Sequence, residues 1–383
     1  VEDRRVTLER TWIMREILDD VLAWIEQGKK TAVATVIQVE RSAPRGPGTS
    51  LAVSEDGVVT GSVSGGCVEP AVYEEAMSAI ASGRAKRLRY GISDDQAFEV
   101  GLTCGGTIHL VVTPITTDSA QALVALREAL ADETPAALAT VVEGPNAGAL
   151  ALIDDRRMVG SLGSSGLDYA VGEDALGMLE LGDTDLMTYG PDGQRRPEDV
   201  TVFVDSFSPP PDMYVFGAID FAAAVARVGK FLNYRVTVCD ARAKFATRAR
   251  FPEADEVIVR WPHEFLADAP VDKRTVICIL THDPKFDVPV LQLALKTPAA
   301  YIGAMGSRRT HEERSRELIA AGASEEDLRR IASPIGLDIG ATTPEEVAVS
   351  IAGEIIASRH SAPGGRLSDR GGAIHKQQHP STA

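Results

Sequence analysis

Apolar residues recur at helical spacing through the start of the chain, at Ile13, Ile17, Val21, Leu22 and Ile25 ahead of Gly28. That spacing predicts an amphipathic helix between Val6 and Gly28. The pattern then changes. "TAVATVIQVE" is a β-rich run, and "TSLAVSEDGVVTGSV" reads as a hairpin turning at Glu55-Asp56-Gly57. "PAVYEEAMSAIASG" predicts a helix with Pro70 in its first turn and Gly83 closing it, and "TIHLVVTPI" returns as a strand.

From about Thr134 the pattern comes round again. "TGSVSGGCVEPAVYEEAMSAIASGRAKRLRYG" (60–91) aligns without a gap with "VGSLGSSGLDYAVGEDALGMLELGDTDLMTYG" (159–190), with 9 of 32 positions identical. Upstream, "TAVATVIQVE" resembles "TPAALATVVE". The order of strand, glycine loop, helix and "YG" repeats too, which predicts a degenerate internal duplication. Cys67 aligns with Gly166, and the segment carrying Cys104 is replaced by the shorter "PDGQRRPED". The second copy thus keeps the pattern and loses both thiols, so the first copy reads as the chemical half and the second as scaffold.

"DSFSPPPDM" breaks the chain, since three prolines continue neither helix nor ladder. Beyond it, apolar strands ("MYVFG", "RVTVCD", "TVICILT", "AAYIGAMG") alternate with helical runs, with "DEVIVR" as a further short strand. This is the sequence form of a Rossmann-like doubly wound parallel sheet. The fold expected is therefore α/β: an N-terminal α+β domain with a degenerate internal duplication, then a Rossmann-like domain. The boundaries read as 1–115 for the domain with the Cys-Gly loops, 116–207 for the second copy, 208–358 for the Rossmann-like domain and 359–383 for a disordered tail.

Composition narrows the partners. The 383 residues are 44% hydrophobic and 25% charged, with a formal charge of −16. An acidic surface repels phosphate backbones and anionic lipid, so neither nucleic acid nor membrane is an expected partner. No apolar run approaches the roughly 20 residues of a spanning helix, and the charged start "VEDRRVTLERTWIMRE" has no apolar h-region. The four cysteines show no CxxC spacing, which fits neither a disulfide framework nor a zinc site. A reducing cytoplasm is the expected compartment.

Against that background the cysteines in "GSVSGGCVE" and "GLTCGG" stand out. Cys67 lies just ahead of a helix N-terminus, where the dipole and unpaired N–H groups favour a thiolate. Gly65 and Gly66 permit a tight turn and close approach of a ligand, and Gly105 and Gly106 leave the Cys104 thiol clear of side-chain bulk. Cys67 and Cys104 form a candidate soft-ligand pair for a metal or a sulfur-bearing cofactor. Two buried cysteines beside turns would give the same pattern. Cys239 and Cys278, inside apolar strands, read as core. Glu69 reads as a helix-capping carboxylate and His109 as a packed or surface histidine.

In the second half, "VFGAIDFAAA" follows a strand and opens a helix, and Asp240 ends the next strand where a carboxylate can bind a ribose hydroxyl. Gly217 and Ala222 fit the dinucleotide fingerprint, but Ile219 replaces its second glycine. In "GAMGSRRTHEER", Ser307 is a natural N-cap, and Arg308 and Arg309 beside it make a candidate anion site. "THDPKFD" offers His282 and Asp283, and "ATTPEE" reads as a capping box at Thr343 and Glu346.

These blocks, with "DARAKFATRARFPEADEV", "YIGAMGSRR" and "SPIGLDIGATTPEEVAVSIAGEI", resemble the XdhC/CoxI family of accessory proteins for xanthine dehydrogenase and related molybdenum hydroxylases. The resemblance runs from about Ala32 to Ala357. It implies a chaperone, without turnover of its own, that binds molybdenum cofactor, protects it during sulfuration and hands it to an apo molybdenum hydroxylase. A sulfurase is a further implied partner, and a homodimer is left open. The family's motif cysteines match Cys67 and Cys104. Where the family's usual loop reads "GAGH", this chain reads "GAID", so Ile219 and Asp220 weigh against an NAD(P) site. An NAD(P)-linked oxidoreductase with a redox cysteine pair is the rival reading, and a silent assembly scaffold the third.

Overall fold

Repetition organises the first 209 residues. Helix α1 (Met14–Glu26) leads into β1 (Thr31–Glu40), β2 (Ser50–Ser54), β3 (Val59–Gly61), α2 (Glu69–Ser82), β4 (Lys86–Tyr90) and β5 (Thr107–Pro114). The same order then returns as α3 (Thr117–Ala131), β6 (Ala136–Glu143), β7 (Leu150–Ile153), β8 (Met158–Gly160), α4 (Ser165–Leu181), β9 (Asp185–Tyr189) and β10 (Val200–Phe207). Each repeat forms one antiparallel five-stranded sheet, in the orders β3-β2-β1-β5-β4 and β8-β7-β6-β10-β9. The computed structural model describes residues 13–41, 43–91, 106–195, 199–281, 283–369 and 371.

Both faces of each sheet are covered, which is why β1 and β6 are buried almost continuously instead of alternating. Ala32, Ala34 and Val36 of β1 pack under Val72, Ala76 and Ala79 of α2. Ala137, Ala139 and Val141 of β6 pack likewise under Leu167, Val171 and Ala175 of α4. On the opposite faces the repeats meet each other, Ile37 and Val111 against Val142 and Phe203. Helices α1 and α3 close that seam with Ile17, Leu18, Val21, Leu123 and Leu126. The duplication is thus carried by topology as well as by sequence, and it begins one element earlier than the sequence alignment, at α3.

Residues Pro210–Arg370 form a second compact unit. Strands β11 (Asp212–Phe216), β12 (Arg235–Cys239), β13 (Glu256–Ile258), β14 (Val276–Ile279), β15 (Tyr301–Ala304) and β16 (Ile331–Ala332) pair in parallel in the order β13-β12-β11-β14-β15-β16. That order reverses between β11 and β14, as in a Rossmann fold. Helices α5 (Asp220–Phe231) and α10 (Pro344–Arg359) cover one face. Helices α6 (Pro262–Asp268), α7 (Pro284–Ala294) and α8 (Arg308–Ala320) cover the other, and α9 (Glu325–Arg329) leads into β16. Cys239 and Cys278 are buried in this core, where burial pushes both thiols up to about 12. Of the C-terminal stretch expected to lack order, residues 372–383 lie outside those described, and Leu367–Asp369 form a 3-10 turn. No helix among the described residues is long and apolar enough to cross a membrane.

Candidate functional site

In repeat one, the loop from β3 to α2 is wound around a single carboxylate. Glu69 accepts hydrogen bonds from the Ser62 hydroxyl (2.7 Å), the Ser64 hydroxyl (2.5 Å) and the N–H groups of Ser64 (2.9 Å) and Gly66 (2.9 Å). The N–H groups of Val63 (3.3 Å) and Val68 (3.2 Å) complete the set. The two serines take the rest: Gly65 N–H donates to Ser62 Oγ at 3.0 Å, and Cys67 N–H to Ser64 Oγ at 3.0 Å. Burial works to raise the Glu69 pKa, but the Ser64 and Ser62 hydroxyls and the backbone donors outweigh it and hold the carboxyl at about 2.

Every backbone N–H from Val63 to Val68 is therefore engaged inside the loop. These N–H groups are thus not free for a phosphate, because Glu69 already stands where an anion would sit at the start of α2. The glycines serve the turn instead. Gly65 and Gly66 have φ of 77° and 115°, and a Cβ on either would meet nothing within 4 Å. The loop leaves open space over its glycines and carries the half-buried Cys67 at its end, against the edge of the α2 core. Glu69 exceeds the helix-capping role the sequence suggested, since it organises the whole turn.

Repeat two shows what the loop is a departure from. Asp168, aligned with Glu69, accepts from the Ser161 hydroxyl (2.8 Å) and Leu162 N–H (2.6 Å). Helix α4, however, starts at Ser165, one turn earlier than α2 in the alignment. Ser164 caps it, accepting from Leu167 N–H at 3.2 Å. Gly166, the counterpart of Cys67, lies directly against the β9–β10 connection: a Cβ there would be 2.3 Å from the Asp192 carbonyl oxygen. The missing thiol of repeat two thus has a steric cause as well as a chemical reading.

Cys104 and Gly105 lie outside the described residues. Gly106 is buried just before β5. The connection that carries Cys104 leaves β4 at Gly91, where a Cβ would come within 2.4 Å of Thr107 Oγ1, so its two ends are held together. His109 is packed in β5 with Nε2 2.9 Å from Glu40, as a structural histidine would be.

The carboxyl edge of the second unit departs further from expectation. Asp240 is 2% exposed and committed internally. It accepts from Ala218 N–H (2.7 Å), from Arg242 N–H (2.8 Å) and from both Nε (2.9 Å) and Nη2 (2.7 Å) of the Arg242 guanidinium. Burial works to raise its pKa, but the Arg242 bonds and the backbone donors hold it below the usual range. No lone pair is presented to a ribose. At Gly217 (φ 109°) a Cβ would be 3.0 Å from Thr281 N, so that glycine serves strand-to-loop packing. Ile219 occupies the N-cap position of α5 without a capping side chain, and Asp220 follows, exposed and 3.1 Å from Arg250. A β-branched side chain and a carboxylate at the helix start do not fit a pyrophosphate.

Arg308 and Arg309 begin α8 after the Ser307 cap, whose Oγ accepts from Thr310 N–H at 3.1 Å. Arg309 is 86% exposed and pairs with Glu313 at 2.9 Å within the helix. The buried arginine is a different one. Arg314 donates to Asp287 (2.7 Å) and to the Met305 carbonyl (2.9 Å), and Asp287 also accepts the Thr281 hydroxyl. This ion pair, 4% and 2% exposed, ties "THDPKFD" to "GAMGSRRTHEER". Sequence reading singled out both blocks but not this pairing, which only the fold brings together. Of the residues it did pick, His282 lies outside the described set and Asp283 caps α7.

An antiparallel module present twice, with a Gly-Gly-Cys loop in its first copy alone, and a parallel Rossmann-type unit after it define the class of protein. Residues 213–355 match the XdhC Rossmann domain, and residues 24–91 and 129–190 match the model of the XdhC and CoxI family. The second match falls in two pieces, one on each repeat. The chain belongs to the XdhC/CoxI family. It is 28% identical over 345 residues to the molybdenum cofactor insertion chaperone PaoD of Escherichia coli (strain K12), covering 90% of this chain and 88% of that one. It is 26% identical over 339 residues to a probable xanthine dehydrogenase subunit of Bacillus subtilis (strain 168), covering 88% and 96%. Among solved structures, one described as a xanthine dehydrogenase from Bacillus halodurans superposes with a TM-score of 0.63 at 25% identity, covering 91% of this chain and 96% of that chain.

Proposed function

We propose that this protein is a molybdenum-cofactor chaperone that receives the cofactor, holds it, and delivers it to an apo molybdenum hydroxylase of the xanthine dehydrogenase type. The similarity to PaoD along most of both chains supports the class of activity. The observation that carries the site is the β3–α2 loop, where repeat one unwinds the helical turn that repeat two keeps and places Cys67 at the break. In repeat two the residue aligned with Cys67 touches the β9–β10 connection, whose counterpart in repeat one carries Cys104. That correspondence supports Cys67 and Cys104 as one thiol pair contacting the metal or its sulfur ligands.

In this reading Glu69 fixes the loop, and Gly65 and Gly66 leave room for the pterin to approach. Recognition there runs through the thiols and the open backbone surface, since the loop N–H groups are engaged. In the second unit, taken by itself, Arg308 and Arg309 at the start of α8 are offered as a separate anion contact. Protection of the cofactor during sulfuration by a sulfurase, in the cytoplasm, belongs to the same proposal. NAD(P) has no place in it.

The protein purified from a host competent in cofactor synthesis is expected to carry molybdenum and pterin in near-stoichiometric amounts. Cys67→Ala and Cys104→Ala are each expected to lower retention at least tenfold while the variant stays folded. Full retention in both variants would remove the thiols from the site. No cofactor on the parent protein would remove the reading itself.

A further inference from the structure

Between the two sheets of the first unit is a small, largely apolar cavity of about 20 Å³, room for one water-sized body. Its polar lining is Thr35, Thr113, Thr140 and Asp205, set among apolar neighbours that include Met14 and Phe203. The four positions are two equivalent pairs. Thr113 pairs with Val33 across β5 and β1, as Asp205 pairs with Leu138 across β10 and β6. Thr35 and Thr140 stand two residues further along each strand. Repeat one thus supplies hydroxyls, and repeat two supplies a hydroxyl and the one carboxylate.

Two features show that the side chains around the cavity do not complete it. Thr113 Oγ1 is fully buried and has no hydrogen-bond partner, on a residue 3% exposed. Asp205, 8% exposed, accepts one side-chain hydrogen bond, from the Thr184 hydroxyl at 3.3 Å. The Gly48 backbone packs so close that a Cβ there would be 2.9 Å from Asp205 Oδ1. Apart from Asp205 itself, none of the side chains lining the cavity is charged or titratable. A carboxylate desolvated without a counter-charge is costly, and so is an orphaned hydroxyl.

We propose that this cavity is a binding site for one dehydrated alkali cation of sodium's size, held by the Asp205 carboxylate and the hydroxyl oxygens of Thr35, Thr113 and Thr140. The donors are all hard oxygens, the choice of a hard cation. One carboxylate neutralises a single positive charge, whereas a divalent ion would keep a net charge in an apolar surround. The site joins the two repeats and is independent of the thiol loop and of the proposed cargo.

The test is thermal denaturation of the full chain in chloride salts of sodium, potassium, lithium and choline at equal ionic strength. Above neutral pH, sodium is expected to raise Tm by several degrees over choline, with potassium and lithium weaker. As pH falls below neutral, protonation of Asp205 competes, and the differences are expected to collapse. Asp205→Asn and Thr113→Val are each expected to remove most of the sodium preference. Sodium NMR on the unaltered protein reads the same site without mutation, through line broadening relieved by excess lithium. Equal Tm in all four salts with no sodium broadening would overturn the proposal and leave the cavity to a water and a proton.

Discussion

The loops before α2 and α4 begin alike, with Gly61-Ser62 and Gly160-Ser161, and end alike, with a carboxylate at the same place. Between them one helical turn is decided differently. In repeat two the turn is wound, capped by Ser164, and sealed where Gly166 meets the Asp192 carbonyl. In repeat one it is opened, two glycines take positive φ, and Glu69 accepts six donors so that the opened turn has no unsatisfied N–H. A duplicated fold can thus free one loop for chemistry while its twin remains scaffold. The carboxylate that keeps the opened loop rigid must itself be strong enough to replace a turn of helix.

Making the repeats alike is expected to have the largest effect. Gly166→Cys drives a side chain into the Asp192 carbonyl and is expected to cost about 4 kcal/mol or prevent folding, measured by chemical denaturation. Unchanged stability would show that the contact is not what keeps the thiol out of repeat two.

The second difference is Asp205 where repeat one has Thr113. Burial pushes the Asp205 carboxyl up to about 7, with the Thr184 hydroxyl working the other way. An acid whose folded pKa is raised favours the folded state when protonated. Its contribution is present below the ordinary carboxylate range and is lost as pH rises toward 7, at no more than ~1.4 kcal/mol per pH unit. In sodium-free buffer, stability is expected to fall by about 3 kcal/mol over that window. Asp205→Asn should flatten the profile.

The carboxylates of the two loops give a smaller contrast. Glu69→Ala is expected to cost about 2 kcal/mol, after allowance for solvent at this partly exposed loop, and Asp168→Ala about 1. The folded pKa of Glu69 is depressed to about 2, so its contribution is present above pH 4.5 and lost as pH falls toward 2. Acid denaturation of the Glu69→Gln variant should begin at a lower pH relative to its own plateau. Equal costs for the two alanine variants would erase the distinction between the loops. Cys67→Ala should shift stability least, by about 1 kcal/mol or less, which calorimetry can read. A larger loss would make the thiol a core residue.

Much of this was legible beforehand. Apolar runs and turn residues placed the helix before β1, the first hairpin, and the parallel alternation after Pro211, because those signals are local. The duplication was legible from Gly61, Ser62, Ala71, Val72 and Glu74 recurring at fixed spacing. What Glu69 does was not, since its donors come from a loop whose shape it creates. What Gly217 and Asp240 face was not legible for a related reason. A fingerprint records residue types, whereas the Arg242 guanidinium and the Thr281 backbone decided what those residues face.

By itself, then, the sequence determined the two repeats, the Rossmann-type sheet and the thiol loop, because periodicity, prolines and glycines act within a few residues. Tertiary structure alone decided that Gly166 has no room for a side chain, that Arg314 and Asp287 meet, and that Thr113 and Asp205 share a cavity. Those pairings join residues far apart in the chain. Packing at ångström scale, which no local pattern encodes, fixes which of them touch.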